Sequence, residues 1–80
     1  MTDDEILHHI TQLVEEEHQL SKRAEHHELA EEEHARMRQL ELSLDQCWDL
    51  LRQRRARREF GQDPDDAQPR DPSVVEGYKQ

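Results

Sequence analysis

The position numbers of paired apolar residues in this chain add to a constant. Ile6 with Leu51, Ile10 with Cys47, Leu13 with Leu44 and Leu20 with Met37 all sum to 57. A constant sum is the arithmetic of two helices running antiparallel about a turn, here centred near Glu28. The 3-4 spacing of Ile6, Leu7, Ile10, Leu13, Val14, Leu20 and Ala24 supplies the first apolar stripe. The fold class is therefore all-α: a two-helix hairpin with an extended C-terminal tail, expected to associate into a four-helix bundle.

The first helix is expected over about 3–27, with the Asp3 carboxylate capping its free N–H groups. His26, His27 and Glu28 are expected to form the turn. A second helix follows over about 30–60, acidic at its start (Glu31, Glu32, Glu33) and basic at its end (Arg57, Arg58), as the helix dipole favours. Gly61 supplies the stop. The hairpin domain thus covers 1–61. Residues 62–80, with Asp63-Pro64-Asp65-Asp66 and Pro69-Arg70-Asp71-Pro72, read as an extended, non-helical linker ending in a docking tail. Val74, Val75 and Tyr78 are its contact residues.

Only 31% of the 80 residues are hydrophobic and 39% are charged, so a lone hairpin is short of burial and should self-associate. The net charge of −9 is uneven. Residues 1–34 hold eleven acids against Lys22 and Arg23, whereas 35–60 hold seven Arg against four acids. An acidic total disfavours non-specific binding to nucleic acid or anionic membrane. Asp3, Asp4 and Glu5 close behind Met1 leave no signal-peptide apolar core, and no long apolar run follows. The cytoplasm is the expected location. The single cysteine, Cys47, lies on the seam and reads as a structural thiol.

The stretch Leu44-Asp45-Gln46-Cys47-Trp48-Asp49-Leu50-Leu51-Arg52-Gln53-Arg54-Arg55-Ala56-Arg57-Arg58-Glu59 is distinctive. With Gly61-Gln62-Asp63-Pro64-Asp65 and Val75-Glu76-Gly77-Tyr78-Lys79-Gln80 it resembles a family of short bacterial proteins catalogued as domain of unknown function 2630. The resemblance extends to Glu16-Glu17-His18 and Glu32-Glu33-His34. It implies no activity, cofactor or catalytic residue.

Chemistry must then be sought among the residues themselves. The Arg52–Arg58 block holds five Arg in seven residues. It could grip phosphates or an acidic protein surface through Arg54 and Arg55. The register offers a plainer use, because it sets Arg52, Gln53 and Arg54 opposite Glu5, Asp4 and Asp3. No aromatic platform is interleaved, which makes nucleic acid an unfavoured partner.

Glu15-x-x-His18 and Glu31-x-x-His34 match the carboxylate–imidazole spacing of di-iron bundles. At 3.6 residues per turn, however, Glu15 and His18 fall roughly 160° and 140° from Leu13, and Glu31 and His34 roughly 140° and 80° from Leu44. Neither pair faces the seam. A cluster of His26, His27, Glu31 and His34 near the turn is the better candidate for zinc, copper or iron. Glu17 stands at a seam position, opposite Leu40, with its carboxylate expected to reach solvent or an Arg. With Gly only at 61 and 77, and no nucleophile–base pair, an enzyme is not expected.

The back of the second helix is the remaining signal. Gln39, Leu42, Ser43, Gln46, Leu50 and Gln53 form a nearly uncharged strip that calls for a contact. Trp48, Leu7 and Val14 widen the apolar arcs further. The expected function is protein–protein association, with a homodimer packing on Leu42, Gln46, Trp48 and Leu50. The metal cluster is the alternative reading.

Overall fold

The computed structural model describes residues 1–71. Helix α1 spans Asp3–His26 and helix α2 spans Glu31–Glu59, joined by a loop over 27–30. A single 3₁₀ turn, Pro64–Asp66, follows. Among the described residues there is no strand. Val74, Val75 and Tyr78 lie outside them.

The N-cap of α1 lies one residue before the expected Asp3, with a consequence. Thr2, not Asp3, is the N-cap. Its hydroxyl accepts from the Glu5 N–H at 3.2 Å, and Glu5 Oε1 accepts from the Thr2 N–H at 3.0 Å. This reciprocal capping box satisfies two free donors at once, and it releases the Asp3 side chain for other work. Helix α1 ends at His26, one residue short of the expected 27. His27 is extended (φ −160°, ψ 163°), so the loop begins there rather than at His26. Ala30 caps α2 without a side-chain acceptor, and Glu33 reaches back to its N–H at 2.9 Å.

Gly61 ends α2 as expected, for a reason visible in its backbone. Its φ of +71° is a left-handed conformation that costs glycine little. The Gln62 N–H then reaches Arg57 O at 2.7 Å and the Gly61 N–H reaches Arg58 O at 3.2 Å. These two bonds are the Schellman closure.

The seam forms two apolar groups. Leu13, Leu20 and Leu40 pack with Met37, Leu44 and Cys47 towards the turn. Ile6, Ile10, Leu50 and Ala67 pack with Leu44, Cys47 and Leu51 towards the termini. Ala67 belongs to neither helix, so the segment after α2 is no free linker. The antiparallel register is carried by ion pairs as well: Arg54 to Asp3, Arg36 to Glu16 and Arg23 to Glu33. Glu33 Oε2 is enclosed without a hydrogen bond, but the Arg23 guanidinium stands 2.7 Å away and offsets its charge.

The whole measures 50 × 26 × 16 Å, which is one helix layer thick. Replacing Leu40, which has 0% exposure, with Ala is expected to cost about 2–5 kcal/mol by urea unfolding. Thr2→Ala is expected to cost about 1 kcal/mol in the same assay, through loss of the cap.

Candidate functional site

A one-layer hairpin has two broad faces, and this chain treats them differently. On one face the segment 62–71 folds back along α2. Asp63 caps its own turn by accepting from the Asp65 N–H at 2.9 Å, and Pro64 supplies a preset φ at the first helical position. The turn thereby aims Asp65 and the Pro64 carbonyl at Arg54. The Arg54 guanidinium donates to Asp3 Oδ1 at 2.6 Å, to Asp65 Oδ1 at 2.9 Å and to Pro64 O at 3.2 Å. One residue, 7% exposed, thus joins the start of α1, the end of α2 and the returning segment.

Asp49 makes a second anchor. It is 3% exposed and accepts from Gln53 Nε2 at 2.9 Å, with Arg70 Nε at 3.4 Å. Gln53 also donates to Gln68 O at 2.9 Å, and Gln46 donates to Arg70 O at 3.1 Å. Together these contacts strap 62–71 over Leu50, which is 6% exposed. The uncharged strip therefore does receive a contact, but an intramolecular one. Amide side chains suit it because they satisfy main-chain carbonyls that carry no charge to pair. Leu50 and Gln46 are consequently not a free surface for a second hairpin, and Leu42 is half-buried. Beside the strap runs a groove of about 210 Å³, lined by Met1, Ile6, His9, Cys47 and Pro69 among others. Burial pushes the Cys47 thiol up from its ordinary range.

Two of the five Arg of the block, Arg54 and Arg58, tie the helix ends together, while Arg52 and Arg55 pair within α2 at exposed positions. Besides Arg54, Arg58 binds Asp3 Oδ2 at 2.9 Å, Arg55 binds Glu59 at 3.1 Å and Arg52 stands 3.9 Å from Asp49. The expected partnering of Arg54 with Asp3 is present. That of Arg52 with Glu5 is not, because Glu5 is occupied by the capping box. Glu17 is half-buried.

The His cluster does not assemble. His26, His27, Glu31 and His34 are all exposed, and among the described residues no group of three or more His, Cys, Asp or Glu is placed to hold a metal ion. The extended backbone at His27 separates the end of α1 from the start of α2. Proximity along the sequence therefore does not become convergence in space.

Among the described residues nothing covers the opposite face. Leu7, Val14 and Trp48 are 44%, 46% and 46% exposed. Leu7 and Val14 lie about 120° and 100° from Leu13 on α1, and Trp48 about 40° from Leu44 on α2, all in the same rotational sense. In antiparallel helices equal senses fall on the same side, so the three share one face. The constant-sum register places Trp48 at a height between Leu7 and Val14. Among the described residues no helix is long and apolar enough to cross a membrane, so this apolar face is not part of a helical span.

The strap is held by charge, which fixes its pH dependence. Arg54 first and Arg58 second hold the Asp3 carboxyl below its ordinary value near 3.8, and Arg54 does the same to Asp65. A carboxylate depressed in the folded state contributes stability that is complete above its unfolded value and is lost as pH falls. Hydrogen-exchange protection at Ala67 is therefore expected to be constant near neutrality and to fall below about pH 4. Arg54→Gln should lower that protection at least about threefold at pH 7 and flatten the acid dependence, since it removes the shared cause.

The family described as "Protein of unknown function (DUF2630)" matches residues 2–80. Uncharacterized proteins of Mycobacterium bovis and of two strains of Mycobacterium tuberculosis are 51% identical over 78 residues, covering 96% of this chain and 90% of theirs. No solved structure matches. The chain belongs to the DUF2630 family.

Proposed function

We propose that this protein acts by protein–protein association, as a homodimer in which two hairpins stack into an antiparallel four-helix bundle. The observation that carries this reading is the uncovered face with Leu7, Val14 and Trp48, on a molecule only 16 Å thick. Scattered exposed apolar residues are ordinary. Here three large ones share a face within about 10 Å along the helices, in a chain that is 39% charged. The broad face measures 50 × 26 Å, ample for the roughly 800 Å² per partner of a standard interface. The chain's own strap has already covered the other side, so the free face is where association adds burial. Arg54 and Arg58 need no phosphate to account for them, because they serve the fold.

Sedimentation at micromolar concentration is expected to show a dimer. Trp48→Glu, or Leu7→Glu with Val14→Glu, should weaken it by about 100-fold or more, since each variant places an unpaired charge in an apolar contact. Far-ultraviolet circular dichroism should remain helical. A folded wild-type monomer under these conditions would overturn the proposal.

A further inference from the structure

The strap lies over the part of its face nearest the chain termini, and the chemistry that holds it repeats farther along α2. Two amide side chains take its carbonyls. Gln53 donates to Gln68 O at 2.9 Å, and Gln46, seven residues earlier, donates to Arg70 O at 3.1 Å. Seven residues are close to two turns, so positions seven apart fall within about 20° of each other. Gln39 stands seven residues before Gln46 and continues the same line. It is exposed, and the half-buried Leu42 and Ser43 lie between it and Gln46.

The direction and pace of the strap lead to Gln39. Pro64 O is held at Arg54 and Arg70 O at Gln46, so six residues of strap travel about 12 Å along α2, roughly 2 Å each. At that pace Val75 comes level with Gln39, about 10 Å beyond Gln46. Tyr78 then comes level with Arg36, about 5 Å farther on. A second depression of about 310 Å³ lies there, lined by Gln19, Leu20, Arg23, Glu32, Glu33 and Arg36 among others. Gln19 and Arg23 fall about 120° and 80° from Leu13, and Glu32 and Arg36 about 120° and 80° from Leu44. All four lie in the sense opposite to Leu7, Val14 and Trp48, which puts the depression on the strapped side. Its floor, Leu20, is buried, and its walls carry the Arg36–Glu16 and Arg23–Glu33 pairs. Aliphatic stems below and charged groups above suit a phenol, whose ring is apolar and whose hydroxyl needs a polar partner.

We infer that residues 72–80, which lie outside the described ones, continue the strap along α2 towards the turn. Gln39 takes a main-chain carbonyl near Val75. Val74 and Val75 point to opposite sides of an extended chain, so one of them covers Leu42. Tyr78 fills the 310 Å³ depression. The occupant is the chain's own segment because Asp71 delivers it directly onto this surface, at an effective concentration a separate molecule does not match. The inference concerns the strapped side and stands apart from the association reading.

Disulfide trapping in the full chain, on a Cys47→Ser background, tests it. Gln39→Cys with Val75→Cys should oxidise within one chain, giving a monomer lighter by two hydrogens in mass spectrometry. That reaction should run at least about tenfold faster than with Glu41→Cys and Val75→Cys, because Glu41 lies about 60° from Leu44 on the Trp48 side. In the wild-type chain, Tyr78 ring protons should show nuclear Overhauser contacts to the Leu20 methyls. These contacts should persist when labelled chains are mixed with an excess of unlabelled ones. Equal trapping rates, or the absence of Tyr78–Leu20 contacts, would overturn the inference. Contacts found only between differently labelled chains would also overturn it, by assigning the surface to another copy's segment.

Discussion

A single layer of two helices can bury only the seam between them, and everything else in this structure answers that limit. The seam takes Ile6, Ile10, Leu13, Leu20 and Leu40 below a tenth exposure. Neither broad face gains cover from the helices themselves. The segment 62–71 returns across one face. The other face keeps Leu7, Val14 and Trp48 in solvent. The asymmetry between a strapped side and a bare side is the central property of the molecule.

Arg54 makes the strapped side work. Its guanidinium is planar and presents donors in fixed directions, so it can hold Asp3, Asp65 and the Pro64 carbonyl at once. A lysine at that position would offer a point charge in place of the fork. The arrangement also depends on Thr2, because the Thr2–Glu5 capping box leaves the Asp3 carboxylate available. Local helix chemistry at one end thereby sets which long-range ion pair can form. The polar anchors at Asp49, Gln53 and Gln46 then lay the segment down in one register against α2.

Much of this was legible from residue types and spacing. The antiparallel pairing, the apolar seam, the Gly61 stop and the opposition of Arg54 to Asp3 are all local or periodic properties. The need for a contact on the Gln46–Leu50–Gln53 strip was legible too, since an uncharged strip is conspicuous in so charged a chain. Its occupant was not. Proline and aspartate in 62–71 mark the end of helix equally well whether the segment departs or returns. The Thr2 cap is also legible, in the Thr-x-x-Glu spacing, which favours Thr2 over Asp3. Closeness of His26, His27, Glu31 and His34 in sequence does not become closeness in space, because the extended backbone at His27 breaks that link.

The sequence by itself determined the two helices, their direction and their shared seam, because 3.6-residue periodicity and helix-end chemistry act over neighbouring residues. Tertiary structure alone decided which apolar surplus is consumed within the chain and which is left exposed. That choice turns on where one returning segment finds donors for its carbonyls and partners for its carboxylates. Such partners are brought together across 10 to 51 positions of sequence, a distance at which spacing carries no directional information.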